Sequence, residues 1–393
     1  MRFKYVLTCL FSPVFIVAES SIVEAFENAS LHSQIKFFSY TIEKETGEDA
    51  YANAIGGYLK YSTDTKQILY ATIQFHTSQA IGYNHNPEDT ALFKDNGEAL
   101  TANSEAYIGW NGTDRVLKVG NLMLDTPMIN DDRTRIVPWS YQGMAYTGKA
   151  FPDTKVQLYH ISQIRSYTSD TYTKESASGQ IGSGITMLGL HYYGLNNIAL
   201  KSFYYYAPDL YSTFIVQANY KLIFNNEDLF CLNMQYFNSG NAGKYADTEN
   251  KNGGDDIDLL AVKIGYDAED WRTSLSYSQN FGISGIVKGY GGLSKVFTTS
   301  MIANGRGNYK PETWMLKTEY DFPYGKWGQS EMAFTYTNTR TKDSRGDDFD
   351  AYYLHWRHQF KIDASLYVRY ENLEYKNDKS DANYLRIIAS YRF

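Results

Sequence analysis

The sequence is poor in cysteine. Of 393 residues only two are cysteines, and one of them, Cys9, lies within the first 18 residues. Cys231 is the only cysteine in the rest of the chain. A lone cysteine forms no intrachain disulfide and no cysteine-based metal site. Neither kind of cross-link therefore accounts for the stability of the fold.

Long apolar runs and excess positive charge are also missing. After the first 18 residues no run of about twenty apolar residues occurs, which excludes a transmembrane helix. Lys and Arg number 37 against 44 Asp and Glu, so the formal net charge is −7. An acidic chain of this kind is poorly suited to wrapping nucleic acid, which requires many cations against phosphate.

The first 18 residues have the pattern of a secretory signal peptide. Arg2 and Lys4 form a basic start, residues 5–17 are mostly apolar, and Ala18 suits the position before a cleavage site. Cleavage there would remove two cations and no acid, which changes the net charge from −7 to −9. We predict a signal peptide at residues 1–18, followed by a single domain at residues 19–393.

Aromatic residues are abundant. The chain has 36 Tyr, 21 Phe and 6 Trp, and its mean hydropathy is −0.45. That hydropathy is typical of a soluble protein, but it also suits a β-barrel whose strands face lipid on one side and water on the other. Tyrosine and tryptophan are enriched in the aromatic girdles of such barrels.

Many segments alternate strictly between apolar and polar side chains. In residues 67–76, Ile73 and Phe75 lie on one predicted face, and Gln74 and His76 lie on the other. This period of two indicates a β-strand with one apolar face. The pattern alone leaves open whether that face meets lipid or a protein core.

The connections between these segments alternate between short and long. The short ones, such as residues 150–154 and 194–197, are rich in Asn, Asp, Gly and Pro, while residues 78–102 and 282–311 are much longer. We count about eighteen strands. The alternation predicts an all-β, antiparallel, up-and-down transmembrane barrel with short periplasmic turns and longer extracellular loops, rather than a soluble sandwich.

The last predicted strand, residues 384–393, ends on Phe393 with Tyr391 two residues before it. This ending resembles the C-terminal signal that the outer-membrane barrel-assembly machinery reads. The alternative is a soluble edge strand that ends in an aromatic residue. Together with the predicted export signal, the ending favours an outer-membrane barrel.

One stretch, residues 126–143, fits neither a strand nor a helix. Between Pro127 and Pro138 it carries two acids and two arginines. We interpret it as a charged loop folded into the mouth or lumen of the barrel. Its charged residues are Asp131, Asp132, Arg133 and Arg135.

This stretch resembles the third-loop motif of the OprD family of outer-membrane porins. The matching positions are Thr126, Pro127, Asp132, Arg135, Pro138, Tyr141 and Gly143, and the glycine-rich residues 282–293 resemble the family's seventh loop. The resemblance implies an eighteen-stranded monomeric barrel for small nutrients, in which the third loop narrows the pore. Asp131 and Arg133 are additions to the family pattern.

We therefore predict a pore constriction at Asp131, Asp132, Arg133 and Arg135. Acids and bases at opposite rims of a pore produce a transverse field that aligns charged solutes. The alternative is a solvated outer loop with a local salt bridge, which contributes little energy.

A wall of bases is predicted opposite the loop. Period-two alternation points Lys317, Arg357, Arg369 and Arg386 away from apolar neighbours, and charge on a lipid face costs about 2–4 kcal/mol at mid-depth. They resemble the basic ladder of the family, which implies guidance of carboxylate-bearing solutes. Structural ion pairs, such as Arg369 with Glu371, are the alternative.

No catalytic, metal or cofactor motif is present. The chain lacks a G-x-S-x-G elbow and an H-E-x-x-H pair, and His355 and His358 would point to opposite faces of one strand. We predict a non-enzymatic porin for ions and small polar or carboxylate-bearing solutes. A barrel enzyme (lipase or protease) and a surface adhesin are the alternatives.

The expected partners follow from this prediction. They are outer-membrane lipid and lipopolysaccharide, the assembly machinery through Phe393, and small solutes, with no nucleic acid. A monomer is favoured over a trimer by the resemblance.

Overall fold

The computed structural model describes a β-barrel over most of the chain. It covers residues 24, 26–176, 179, 181–224, 228–243, 257–283, 290–299, 309–376 and 381–393. The predicted signal peptide at residues 1–18 lies outside these ranges, so that prediction stays untested. Within the described ranges, no helix is long and apolar enough to cross a membrane.

Eighteen strands and one short 3₁₀ helix, η1 (Pro87–Thr90), make up the regular structure of the described residues. In chain order the strands are β1 (Ser30–Lys44), β2 (Ala50–Ser62), β3 (Leu69–Ala80), β4 (Leu100–Gly112), β5 (Arg115–Leu122), β6 (Ser140–Phe151), β7 (Thr154–Arg165), β8 (Ile185–Leu195), β9 (Ile198–Ala207), β10 (Tyr211–Ile223), β11 (Leu229–Asn241), β12 (Ile257–Ala268), β13 (Trp271–Asn280), β14 (Pro311–Asp321), β15 (Gly328–Thr341), β16 (Phe349–Phe360), β17 (Ala364–Tyr375) and β18 (Ala382–Arg392).

The sheet is closed. Each strand pairs antiparallel with the strands before and after it in the sequence, and β1 pairs with β18 from Gln34 opposite Arg392 to Lys44 opposite Ala382. Closure leaves no unpaired sheet edge, as a span through lipid requires. The predicted up-and-down barrel of eighteen strands is confirmed.

The two faces of each strand differ as the alternation predicted. On β3, Ile73 and Phe75 are exposed on the outer surface, whereas Gln74 and His76 are buried inside. The outer belt of apolar and aromatic side chains continues around the barrel. An apolar exterior with a polar interior is the arrangement that a barrel in a bilayer needs.

Turns at one end of the barrel are short, and loops at the other end are long. Asp114, Asp153 and Asn197 lie in the short turns with φ of 56°, 56° and 61°. Asp and Asn tolerate this left-handed conformation better than most residues, which explains their choice at tight turns. The long connections gather at the opposite end, where the loop of residues 123–139 begins.

Candidate functional site

The third long loop, residues 123–139 between β5 and β6, crosses the interior of the barrel. Near its start, Ile129 is buried in a cluster that includes Ile215 of β10. Near its end, Ile136 is buried in a different cluster, together with Phe38 of β1. Because β10 and β1 lie on different sides of the closed sheet, the loop spans the lumen between them.

A tight turn at Thr126 sets the direction in which the loop enters. The Thr126 hydroxyl donates to the carbonyl of Ile129 at 2.8 Å and accepts from the Ile129 amide at 3.1 Å. Pro127 lies inside this turn, where a fixed φ is favourable. From β6, the Tyr141 hydroxyl donates to the carbonyl of Asn130 at 2.7 Å. Three of the residues that carry the family resemblance thus shape the loop.

Arg135 is half-buried at the inner part of the loop. Its Nε donates to the carbonyl of Thr90 at 2.9 Å, and its guanidinium carbon lies 5.3 Å from the ring centre of Tyr40 and 5.7 Å from that of Tyr167. Burial lowers the pKa of Arg135, and the nearby charge of Arg386 lowers it further. The guanidinium nevertheless stays charged, as arginine does throughout proteins.

Arg386 approaches the same tyrosine from the barrel wall. It is the cross-strand neighbour of Tyr40 between β18 and β1, and its Nη2 donates to the Tyr40 hydroxyl at 3.0 Å. Its guanidinium carbon is 4.5 Å from the Tyr40 ring centre. Only 2% of Arg386 is exposed, and its Nε finds no hydrogen-bond partner among the described residues.

A cavity of about 680 Å³ opens between the loop and this part of the wall. Strands β1 to β4 and β16 to β18 form its wall, and residues of the third loop form its other side. Its described lining contains one acid, Glu105, and seven cations. The cations are Lys36, Lys60, Arg133, Arg135, Arg357, Arg386 and Arg392.

Only two of these seven cations form ion pairs within the described part of the chain. Lys60 Nζ lies 2.6 Å from a carboxylate oxygen of Glu105, and Arg133 Nε lies 2.5 Å from one of Asp131. Burial raises the pKa of Asp131, against the lowering effect of Arg133. The described lining therefore carries an excess of positive charge, whose field is stronger at the low dielectric of a protein interior than in bulk water.

The predicted site residues fall into two groups. Arg133, Arg135, Arg357 and Arg386 line the cavity together. Asp131 and Asp132 are not part of its described lining. Asp131 does form an ion pair with Arg133, which is part of that lining.

Lys317 and Arg369 are not part of the described lining, although Arg369 is the cross-strand neighbour of Arg386. Lys317 Nζ donates to Glu319 at 2.7 Å, and Arg369 Nη2 donates to Glu371 at 3.0 Å. For these two wall residues the geometry is that of the ion pairs considered as the alternative. Their predicted role in guiding solutes stays untested.

A second charged cluster lies on β13 to β16. Arg272 forms ion pairs with Glu319, Asp321 and Glu331, and His355 Nε2 lies 3.3 Å from Glu331. The ligand atoms of Glu319, Glu331 and His355 are within 4.8 Å of one another, a spacing that a metal ion could bridge. Both carboxylates, however, already accept from Arg272 or Lys317. We therefore describe the cluster as an ion-pair network.

The seventh long loop docks on the third. The Asn130 side chain donates to the carbonyl of Leu293 at 2.6 Å and accepts from the Leu293 amide at 3.0 Å. Lys295 forms an ion pair with Asp125, and its amide donates to the carbonyl of Pro127 at 2.8 Å. The third loop is thus held in place by the seventh long loop as well as by the barrel wall.

Sequence reasoning missed several residues of the cavity. Lys36 and Lys60 lie at inward positions of β1 and β2, between outward Ile35, Phe37 and Leu59. The period-two pattern that located the C-terminal bases would have found them as well. Tyr40 carried no comparable signal, because its role depends on strand pairing between the two ends of the chain.

A closed barrel with an apolar outer face and a charged lumen narrowed by an inner loop defines a channel of the porin class. The family model described as "outer membrane porin, OprD family" matches residues 109–393. The chain therefore belongs to the OprD family of outer-membrane porins. This confirms both the resemblance seen in the sequence and the outer-membrane location predicted from it.

Solved structures of the same shape are numerous. Pseudomonas aeruginosa OccK9 (OpdG) aligns with 14% identity and a TM-score of 0.83 over 94% of this chain and 99% of its own. Acinetobacter baumannii OccAB4 aligns with 16% identity and a TM-score of 0.80 over 93% and 98%. P. aeruginosa OpdK with vanillate aligns with 17% identity and a TM-score of 0.77 over 93% and 98%. A search of curated protein sequences gave no match.

Proposed function

We propose that this porin is an anion-preferring channel for small carboxylate-bearing solutes, with the 680 Å³ cavity as its filter. The single observation that carries the proposal is the charge of the cavity lining, seven cations against one acid. Solutes move passively down their gradients. The third loop supplies one side of the filter through Arg133 and Arg135, and the wall supplies the other.

The balance of charge decides which solutes the filter favours. Once the pairs Lys60–Glu105 and Arg133–Asp131 are set aside, five cations of the lining have no acidic partner within the described residues. A carboxylate that enters meets several charged donors, and arginine can bind it through two parallel hydrogen bonds. A cation of the same size is repelled at each of these points.

The tyrosines near the cavity suit a carboxylate with an apolar or aromatic body. Tyr58 and Tyr367 line the cavity, and the Arg357 guanidinium carbon lies 5.4 Å from the ring centre of Tyr367. The structure of OpdK with vanillate, an aromatic carboxylate, is a precedent for this chemistry on the same fold. We infer that small aromatic and aliphatic carboxylates both pass.

A barrel enzyme is the alternative function, and one pair of residues bears on it. Ser330 Oγ and His358 Nδ1 lie 2.8 Å apart, and the ring of His358 packs against Trp356 and Phe360. The other nitrogen of His358 faces the carbonyl of Trp327 at 3.4 Å instead of a carboxylate. We interpret the pair as a cross-strand hydrogen bond within the aromatic girdle, and propose that the protein has no enzymatic activity.

The remaining partners are part of the proposal. We infer a monomer surrounded by lipid and lipopolysaccharide, exported through the signal peptide at residues 1–18. Phe393 supports recognition by the assembly machinery, because its side chain is exposed while its amide and carbonyl pair with Ser33 of β1. An adhesin role of the outer loops is compatible with a channel.

Planar-bilayer recording tests the proposed function. The purified protein should open channels whose reversal potential in a KCl gradient indicates preference for chloride. Proteoliposome swelling should be faster with benzoate or succinate than with neutral sugars or lysine of similar size. A preparation that is folded but opens no channel, or one that prefers potassium, would contradict the proposal.

A further inference from the structure

Arg165, the last residue of β7, is a fully buried arginine. Its side chain is 0% exposed, and it is the largest fully buried residue in the part of the chain that the structure describes. Within the described residues no carboxylate forms an ion pair with it. A buried charge is costly unless other groups satisfy it, so the surroundings of Arg165 must explain why it is there.

Five neutral acceptors surround the guanidinium. An arginine side chain has five N–H groups, and all five are used here. Nε donates to Ser140 Oγ at 2.9 Å, Nη1 donates to the carbonyls of Ser166 and Ser169 at 3.0 Å each, and Nη2 donates to Ser104 Oγ at 3.2 Å and to the carbonyl of Pro138 at 2.9 Å. Lysine, with three donors on one nitrogen, cannot reproduce this pattern.

These acceptors belong to separate segments of the chain, and Arg165 binds all of them. Pro138 lies near the end of the third loop, three residues after Arg135, and it lines the cavity. Ser104 belongs to β4, and Ser166 and Ser169 belong to the fourth long loop, residues 166–184. Arg165 therefore fixes the end of the third loop to the wall and to its neighbouring loop.

The fourth loop in turn supports Arg135. Its Tyr167 lies between the two residues that Arg165 binds there. The Tyr167 ring meets Trp139 edge-on at 5.4 Å and lies 5.7 Å from the guanidinium carbon of Arg135. Asp170 of the same loop forms an ion pair with Lys94 at 2.6 Å. This ion pair anchors the fourth loop to the connection between β3 and β4. Arg135 is thus supported by two elements that Arg165 joins.

We propose that Arg165 is the positioning residue of the pore constriction. It does not line the cavity, and it acts on permeating anions only by holding Pro138 and Tyr167, and through them Arg135, in place. The inference rests on the proposed function, in which Arg135 is part of the anion filter.

The test compares Arg165→Met, Arg165→Lys, Arg135→Ala and the double variant Arg165→Met/Arg135→Ala in the refolded full-length protein. Arg165→Met should lower the anion-to-cation permeability ratio at least twofold and add open-channel noise. Arg165→Lys should recover only part of the ratio. In the double variant, the ratio should equal that of Arg135→Ala alone, because Arg165 acts through Arg135.

A second measurement reports the loop directly. In a Cys9→Ser/Cys231→Ser background, a nitroxide spin label at Arg133→Cys, whose native side chain is 74% exposed in the lumen, reports motion of the third loop. Arg165→Met should increase the mobility of this label. Arg115→Met, at the exposed first residue of β5, removes one charge without touching the loop and serves as the control.

The outcomes separate the two proposals. If Arg165→Met lowers only the unfolding temperature, with label mobility and permeability ratio unchanged, Arg165 is merely structural and the inference is wrong. If label mobility rises but Arg135→Ala itself leaves the ratio unchanged, the positioning role stands and the proposed filter fails. Folding of each variant is checked by the mobility difference between unheated and heated samples on gels.

Discussion

Arg135 of the third loop and Arg386 of the last strand place their guanidinium groups against the ring of one tyrosine, Tyr40, at 5.3 Å and 4.5 Å from its centre. Like charges so close repel each other, and the negative face of one ring offsets only part of that repulsion. A carboxylate bound in the adjoining cavity would offset the remaining repulsion between the two guanidinium groups. The pair is therefore the point at which we expect anions to bind most tightly.

Replacement of either arginine should weaken anion preference. A unit charge about 4 Å away is worth ~1 kcal/mol in water, so Arg135→Ala and Arg386→Ala should each lower the chloride-to-potassium permeability ratio about fivefold. The double variant should lose less than the product of the two effects, because both act on one site. Reversal potentials in a KCl gradient measure the ratio.

The control for these variants is Lys326→Ala, which removes one positive charge from an exposed turn beside Trp327. Its permeability ratio should match that of the wild type. Equal ratios for the wild type and all four variants would show that the two arginines are not the filter.

Acidification should strengthen anion preference through Asp131. Burial raises the pKa of Asp131 above the usual value for aspartate. As pH falls through this raised pKa, Asp131 loses its negative charge while Arg133 keeps its positive charge, so the constriction becomes more positive. Reversal potentials between pH 7 and pH 4 should shift toward that of chloride.

Asp131→Asn separates this effect from the titration of other acids. The variant should show higher anion preference already at pH 7 and a smaller change on acidification. An identical pH response in wild type and variant would exclude Asp131 as the titrating group. The comparison also tests whether a residue added to the family pattern affects selectivity.

Glu105→Gln should change selectivity in the same direction without any change of pH. Glu105 is the one acid of the described cavity lining, and it neutralises Lys60 at 2.6 Å. Its replacement by an uncharged residue of the same shape leaves Lys60 unpaired. We expect the chloride-to-potassium permeability ratio to rise severalfold. Lys60→Met in the same background should reverse that gain, and failure to do so would rule out the pairing as the cause.

Gly292→Ala should loosen the contact between the seventh and third loops. Gly292 has a φ of +80°, and a Cβ there would lie 2.5 Å from the carbonyl oxygen of Asn130. The added methyl group therefore separates the loops and breaks the paired hydrogen bonds between Asn130 and Leu293. Single-channel recording should show larger conductance and more frequent substates.

Gly240→Ala is the matched control for this substitution. A Cβ at Gly240 meets nothing within 4 Å, so the same chemical change there should leave conductance as in the wild type. If both variants conduct alike, the docking of the seventh loop does not limit the pore.

The barrel was largely predictable from sequence, because its signals are local. Period-two alternation is visible within ten residues, and residue type alone indicates turns such as those at Asp114 and Asp153. The third loop was located through its prolines and charges together with the family resemblance. Each of these inferences needed only neighbouring residues.

Contacts between distant segments could not be predicted in this way. Whether Arg369 faces a solute or Glu371 depends on side-chain packing that no local pattern specifies. Arg165 gave no signal at all, because its acceptors are serine hydroxyls and backbone carbonyls, several of them in other segments. A neutral acceptor can come from any residue, so sequence alone does not identify it.

Tyr40 and Arg386 are 346 residues apart, yet they face each other across the seam where β1 meets β18. Contacts of such long sequence separation carry a large loop-closure cost, and this one requires the first and last strands to be paired. The anion site is consequently completed only when β1 pairs with β18 and closes the barrel. A barrel arrested with its first and last strands unjoined would lack the tyrosine–arginine contact, so selectivity is acquired in the same step that seals the pore from lipid.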